Sequence, residues 1–587
     1  MRFRRKLLIA LALAVVAAAV PEALFASGIA PVRGKHAMVA SVHEKASQTG
    51  VDVLKSGGNA VDAAVATGFA LAVVHPQAGN LGGGGFMLVR GADGKFFFLD
   101  FREAAPAAAT ATMYLDEKGN VVPDASLVGY RASGVPGSVA GLVYAEKHWG
   151  KLTLAQVMAP AIRLARDGFP LSWEDARDFR EPSLAEFPES RRIFQRDGRY
   201  YEAGEIFRQP ELARTLERIA QDPDGFYRGA MAREIADFLQ KNGGLISEKD
   251  LAGYEVKLRE PVRGSYRGYE IVSAPPPSSG GIDVLEILNI LEGYDLGKLG
   301  RGSAEAVHLT VEAFRRAYYD RAEFLGDPDF TSLPVAQLID KKYASGWRES
   351  LDPRHATPSG ELKRPDVFGK LDREAARRPQ PVASESANTT HFSIVDAAGM
   401  AVAVTYTLND SFGSRVTVPG LGFLLNDEMD DFASKPGEPN LFGLVQGSAN
   451  AIAGRKRPLS SMTPTMVLKG GRLFLVLGSP GGGRIPSTVV QIILNMVDYG
   501  MNVQQAVNAA RFHHQWLPDT ITYELDGLSP DTRKRLEAMG HKLHEGYESE
   551  GEHHDYWSDG ECVAIDLQTG ERLGASDPRN NGKPIGY

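Results

Sequence analysis

Two threonines, Thr389 and Thr390, follow Asn388 where a Pro- and charge-rich segment gives way to a β-branched, apolar run. Inside a chain, a threonine hydroxyl is a weak nucleophile. At a newly made chain end it gains a neighbouring α-amine, whose reference pKa of about 7.7–8.0 lets it take up the hydroxyl proton near neutral pH. Threonine activated by its own terminal amine is an established form of nucleophilic catalysis. The same residues also suit the first positions of a strand with no chemistry attached. On the local pattern both readings stand.

Other residues invite chemistry and are weaker on their own terms. Gly82 to Gly85 follow an apolar segment, as a phosphate loop would, but no Lys-Ser/Thr follows and the next element reads as a strand. Close backbone packing explains them better. His513-His514 and Glu552-His553-His554-Asp555 could be metal ligands, yet adjacent side chains point apart on a strand or helix. A solvated loop or supporting role suits them better, and no metal or other cofactor is expected. His391, two residues after Thr389, falls on the same strand face and is read as structural. In isolation, Arg102-Glu103 reads as a surface ion pair and Asp427 to Asp431 as a solvated loop.

The elements that must hold these groups alternate between helix and hairpin. Thr390 to Val395 and Met400 to Thr407 read as two strands around Ala397-Ala398-Gly399. The run from Phe86 pairs with Lys95 to Phe101, and Met466 to Leu468 with Leu473 to Leu477. Glu44 to Ser56 reads as a helix. Asn59 caps a second, running to Val74, that is apolar nearly all round and belongs deep in the fold. Thr153 caps a helix with Leu154, Val157, Ile162 and Ala165 on its apolar side. Ser303 to Phe324 is a long helix with Val307, Val311, Phe314 and Tyr318 on one stripe. Ile282 to Leu291, Val489 to Val497 and Val503 to Ala510 are also helical. Asp352 to Asn388 loses all periodicity, and Arg377-Arg378-Pro379 and Ser384-Glu385-Ser386 are typical of an exposed segment.

With 65 basic and 73 acidic residues in 587, the net charge is −8, and nothing suggests a nucleic-acid surface. The single cysteine, Cys562, excludes an internal disulfide and sits in a run that reads as a core strand. Arg2, Arg4, Arg5 and Lys6 precede an apolar stretch from Leu7 to Val20, and small residues follow to Ala26-Ser27. That is the layout of a secretory signal over residues 1–26, shorter than the roughly 20 residues of a membrane span. A periplasmic or secreted protein is expected, with no membrane attachment after signal removal.

Eight stretches, taken in order, resemble the γ-glutamyltranspeptidase family of N-terminal-nucleophile hydrolases. They are Pro76-Gln77-Ala78-Gly79-Asn80 with the glycines after it, Asp100-Phe101-Arg102-Glu103, Thr389-Thr390-His391, and Thr405-Tyr406-Thr407-Leu408-Asn409. Asn426-Asp427-Glu428-Met429-Asp430-Asp431-Phe432 and Lys456-Arg457-Pro458-Leu459-Ser460-Ser461-Met462 come next. Gly478-Ser479-Pro480-Gly481-Gly482 and Gly574-Ala575-Ser576-Asp577-Pro578-Arg579 close the series.

The resemblance implies an α+β fold, an αββα sandwich with two stacked antiparallel sheets between helical layers. It also implies self-cleavage between Asn388 and Thr389, giving a large fragment (27–388) and a small one (389–587) that stay together as a heterodimer. The implied activity is transfer of a γ-glutamyl group from glutathione or a related amide to water, an amino acid or a peptide. Thr389 would be the nucleophile, Thr407 its hydrogen-bond partner, and Gly481 and Gly482 the oxyanion donors. Arg102, Ser460 and Ser461 would take the α-carboxylate, and Asn409, Glu428 and Asp431 the α-ammonium. Phe442 stands in a lid loop where a tyrosine is common, so it covers the site without a hydroxyl.

Two readings within the same fold compete, a cephalosporin (glutaryl) acylase and a poly-γ-glutamate-processing enzyme. From other classes come an exported glutamyl-compound binding protein and a serine hydrolase using Ser460 or Ser461, the latter without a Gly-x-Ser-x-Gly elbow.

Overall fold

A computed structural model describes residues 29–367, 389–546 and 557–587. Residues 1–26, the Arg377–Ser386 segment, Asn388 and the Glu552–Asp555 run therefore lie outside the described residues.

Fourteen strands build two sheets. In chain order they are β1 (Val32–Gly34), β2 (Met38–Ser41), β3 (Gly84–Arg90), β4 (Phe96–Phe101), β5 (Lys257–Arg259), β6 (Val262–Tyr266) and β7 (Tyr269–Ser273). Then come β8 (Thr389–Val395), β9 (Ala401–Thr407), β10 (Thr465–Lys469), β11 (Arg472–Leu477), β12 (Cys562–Ile565), β13 (Arg572–Ala575) and β14 (Ile585–Gly586). One sheet runs β14-β2-β8-β9-β3-β4-β5, the other β1-β13-β12-β11-β10-β7-β6. Every pairing within them is antiparallel.

Three apolar layers define the sandwich. Alternation along a strand sends successive side chains to opposite faces. Phe392, Ile394, Val402 and Val404 accordingly pack outward against α1 (Glu44–Lys55), α2 (Ala60–Val74), α3 (Ser138–Trp149) and α4 (Leu154–Asp167). On the other side, Ile271, Val467, Leu475 and Ala564 pack against α5 (Gly280–Leu291), α6 (Ala304–Phe324), α7 (Ile485–Val497) and α8 (Val503–Asn508). Between the sheets lie Met38, Phe86, Leu88, Val395 and Ala403 of one and Val272, Met466, Val476 and Val563 of the other. The architecture is the expected α+β sandwich.

The capping residues behave as their chemistry dictates. Asn59 accepts from the N–H groups of Val61 and Asp62, while the Asp62 carboxylate returns to the Asn59 N–H, and every residue of α2 is buried. Thr153 closes the same box with Gln156 on α4, where Val157 and Ala165 are buried and Leu154 and Ile162 half-buried. Ser303 caps α6. α7 begins at Ile485, four residues earlier than its periodicity indicates, because Pro486 suits a first turn where its missing N–H is not needed. Cys562 is buried in its strand. No helix among the described residues is long and apolar enough to cross a membrane.

Two expectations need correction. α6 is not amphipathic: Arg315, Arg316, Asp320, Arg321 and Glu323 are buried along with the predicted stripe. His513 and His514 are not solvated. His513 hydrogen-bonds Ser487 and Gln515, and His514 faces Asp519 and accepts from the Trp516 N–H.

Candidate active site

The inter-sheet layer becomes polar at one end of β8 and β9. Thr389, His391 and Ser393 share the face that carries Val395 into the apolar layer, and Thr389 stands directly opposite Thr407. The Thr389 hydroxyl donates to Thr407 Oγ1 at 3.1 Å, and Thr407 Oγ1 also accepts from the Asn409 N–H at 2.8 Å. Burial drives the His391 pKa down to about 3. That neutral ring bridges Thr405 (2.8 Å) and Ser393 (3.0 Å), the structural part expected of it.

Glycines of the 82–85 run bring β3 flush against β9. A Cβ on Gly83 would collide with the Thr407 carbonyl, and one on Gly85 with the Thr405 carbonyl. Close packing, with no phosphate, accounts for them.

Asn409 leaves β9 with φ +84°, a left-handed conformation that a non-glycine residue holds only when its surroundings enforce it. Its side-chain amide donates to the Asp427 carbonyl at 3.2 Å. That bond ties the end of β9 to the acidic turn Glu428–Asp431.

Arg102, at the exit of β4, is fully buried. Its guanidinium is spanned by Glu428 and Asp431 and lies 3.5 Å from Glu103. Its Nε also donates to the Pro458 carbonyl at 3.3 Å. Burial opposes its charge, but the three carboxylates outweigh burial and raise its pKa. Burial pushes Glu103 up to about 7 and Glu428 well above the usual carboxylate range, with Arg102 pulling both back. Neither the surface ion pair nor the solvated acidic loop survives: both stretches are buried, and they bind each other.

Ser460 and Ser461 face this cluster from the segment before β10. The Met462 N–H donates to Ser460 Oγ at 3.1 Å, which leaves the Ser460 proton free to point elsewhere. β11 ends in the loop that carries Gly481 and Gly482, with φ +123° and +51°. Gly482 lies against the Phe442 ring, and Gly481 packs behind it on the Ser558 hydroxyl. The Phe442 segment is pinned at both sides. Gln515 Nε2 donates to the Phe442 carbonyl at 2.9 Å, and Asn440 links the Phe442 N–H (3.1 Å) to Asp431 (3.2 Å).

A pocket of about 270 Å³ runs between these groups. Thr389, Thr407 and Gly482 line it with Arg102, Asn409, Glu428, Asp431, Ser460, Ser461 and Phe442. Of the expected site residues only Gly481 stands outside its lining, and Asn388 is outside the described residues. The pocket gathers a buried hydroxyl pair and groups of both charges in one lining, as an acyl donor with a zwitterionic head group requires.

Leu444, Met462 and Ile485 complete the apolar wall; Met462 closes the stretch that carries Ser460 and Ser461, and nothing in the local sequence singled out the other two. Sequence reasoning also missed Arg321, which donates to Ser461 Oγ at 3.1 Å. The signal available was the charge on every face of α6, more than a partly exposed helix of that length needs.

The family model for γ-glutamyltranspeptidase matches residues 46–587. The glutathione hydrolase proenzyme of Escherichia coli (strain K12) is 50% identical over 556 residues, covering 94% of this chain and 91% of that protein. The cephalosporin acylase structure from Bacillus halodurans superposes with a TM-score of 0.81 at 28% identity, covering 97% and 99% of the two chains. The Helicobacter pylori γ-glutamyltranspeptidase structure gives 0.55 at 47% identity, over 57% of this chain and 96% of that one. The family model spans more than nine-tenths of the sequence and the Escherichia coli relative is identical at half of the aligned positions, so this chain belongs to the γ-glutamyltranspeptidase family.

Proposed function

We propose that the chain is made as an exported precursor that loses residues 1–26 and cuts itself between Asn388 and Thr389. The fragments 27–388 and 389–587 remain together and act as a glutathione hydrolase and γ-glutamyltransferase. The observation that carries this reading is that Thr389, hydrogen-bonded to Thr407, lines one pocket with Arg102, Glu428, Asp431, Ser460 and Ser461.

In the mature enzyme the Thr389 hydroxyl attacks the γ-carbonyl of glutathione, and its proton passes to the Thr389 α-amine. The N–H groups of Gly481 and Gly482 hold the developing oxyanion, a contribution of roughly 2.7–4 kcal/mol per donor. Collapse breaks the amide C–N bond, and the α-amine's proton goes to the departing cysteinylglycine amine. Water then attacks the ester to release glutamate, or the amine of an amino acid or peptide attacks it to give a new γ-glutamyl amide. Either way the Thr389 hydroxyl regains its proton.

Glutaryl acylase activity is the second reading, favoured by the full-length likeness to a cephalosporin acylase. A glutaryl group has no ammonium, which would leave Asp431, Glu428 and Asn409 without a function in binding. The γ-glutamyl reading uses them.

N-terminal sequencing of purified protein tests the scheme and is expected to find a fragment starting at Thr389. Thr389→Ala is expected to give one uncut chain with no turnover of γ-glutamyl-p-nitroanilide. An active continuous chain would defeat the proposal, and a preference for glutaryl-p-nitroanilide would select the second reading.

A further inference from the structure

The carboxylates around Arg102 leave little net positive charge at that corner. Glu428 and Asp431 bind the guanidinium directly, and Glu103 lies at 3.5 Å. An α-carboxylate bound there needs help from elsewhere, and the serine side of the pocket has a second cation behind it. Arg321, on α6, is buried, and among the described residues it makes no ion pair. Its Nη2 donates to Ser461 Oγ at 3.1 Å and its Nε to Ser279 Oγ at 3.0 Å.

A guanidinium can only donate. Ser461 Oγ is therefore an acceptor on its Arg321 side, and its own proton is left available to an acceptor in the pocket that Ser461 lines. The Met462 N–H does the same for Ser460. An ionised carboxylate only accepts, so each hydroxyl must spend its single proton on it; donors bound from behind hold the two oxygens in place while leaving that proton unused, and hydrogen bonds to an ionised acceptor are about twice as strong as neutral ones. Two carboxylates answer Arg321 through space without pairing with it, Asp283, one turn into α5, more strongly than Asp431, which already binds Arg102. Burial pushes Asp283 up to about 7, while Arg321 pulls it back. The Arg321 charge is thus only partly offset inside the protein.

We infer that Arg321 is a positioning residue for substrate, holding Ser461 as a hydrogen-bond donor to the α-carboxylate of the γ-glutamyl group and lending that carboxylate its positive field. The inference rests on the γ-glutamyl reading above. Arg321 touches Ser461 and not the substrate.

The test compares wild type, Arg321→Met and Arg321→Lys as processed enzymes. The substrates are γ-glutamyl-p-nitroanilide and its α-methyl ester, which lacks the carboxylate charge. Arg321→Met is expected to raise KM for the free acid at least tenfold with kcat within threefold, and to leave the ester's kcat/KM within threefold. Arg321→Lys, which keeps the charge, is expected to recover at least half of the loss on a logarithmic scale. Equal losses on both substrates, or a fall in kcat at unchanged KM, would make Arg321 a merely structural residue and overturn the inference. Should Arg321→Met fail to accumulate as folded protein, Ser279→Ala removes the second anchor of the guanidinium. It is expected to raise KM for the free acid two- to fivefold and spare the ester, and no selective effect would overturn the inference. If wild type turns over no γ-glutamyl anilide, the functional reading itself falls. Calorimetric binding of L-glutamate then decides on Arg321: a tenfold weaker Kd in Arg321→Met supports the inference, and equal affinity rejects it.

Discussion

Gly481 shows how much of this site depends on a single absent side chain. Its φ of +123° is closed to any residue with a Cβ, and the Ser558 hydroxyl occupies the space where that Cβ would go. Gly481→Ala must distort the loop that brings Gly482 into the pocket lined by Thr389. We expect kcat to fall about 10²- to 10³-fold, the range for losing one oxyanion donor, with KM changed far less. Adding Ser558→Gly clears the space but not the backbone conformation, so the double variant is expected to stay as slow as the single one. Steady-state kinetics on cleaved enzyme decide this, and recovered kcat in the double variant would show that crowding alone was at fault. The glycines were legible as a loop leaving a strand, and the resemblance supplied their role. Their dihedral angles, the Ser558 contact and the Arg321 bond to Ser461 were not legible, because each joins residues far apart in the chain. Even for the residues that were named, the sequence pattern could not say that Arg102 and the acidic turn would be bound to one another.

α6 shows the same limit for a whole element. Its Val307, Val311, Phe314 and Tyr318 stripe is buried as the periodicity indicates, and so are the charges on its other faces. A periodic pattern reports one buried face, and charges buried on the others are invisible to it unless their partners are known. Glu312 is such a case. It accepts from Arg315 at 3.1 Å, from Arg316 at 2.6 Å and from the Thr357 N–H at 3.2 Å. Thus the start of the aperiodic stretch, residues 352–367, is packed onto α6 through such contacts, although it has no periodicity to betray them. His308 and His541 lie close enough to make a three-ligand cluster with Glu312, but they hydrogen-bond each other at 2.7 Å, and two guanidiniums already hold the carboxylate. Burial works to raise the Glu312 pKa, and Arg315 and Arg316 overcome it, bringing it down to about 2 from 4.5. A depressed carboxylate pKa stabilises the folded state above about 4.5, and that contribution, roughly 3 kcal/mol here, fades as pH falls toward 2. Glu312→Gln leaves two buried cations underpaired and is expected to lose about 3–5 kcal/mol at pH 7. Urea unfolding at pH 7, 5 and 3.5 should show the gap to wild type shrinking only at the lowest pH. A gap independent of pH would mean that packing, not charge, holds this helix.

Both sheets are woven from the two proposed fragments, and this governs how the cleaved molecule must behave. Strands β8 to β14 belong to residues 389–587 and β1 to β7 to residues 27–388. The pairings β14/β2, β2/β8 and β9/β3 in one sheet, and β1/β13 and β10/β7 in the other, therefore cross the fragment boundary. Strand β2 lies between two strands of the small fragment. The inter-sheet layer also draws on both, with Phe86 and Val272 from one fragment and Val395 and Val476 from the other. Separating the fragments would expose unpaired strand edges and the apolar faces on either side of them, so both fragments would lose the layer between the sheets. Cutting the peptide bond before Thr389 removes one covalent link and none of these contacts. We expect two bands on a denaturing gel and one species on native gel filtration, unchanged in 1 M salt, because screening at that strength acts on exposed charges and spares buried ones. In a urea titration, loss of fragment association should coincide with loss of far-ultraviolet circular dichroism. If salt or mild urea released a small fragment that kept its secondary structure, the fragments would be separately folded domains, and the interleaving of their strands would not be what holds the active site together.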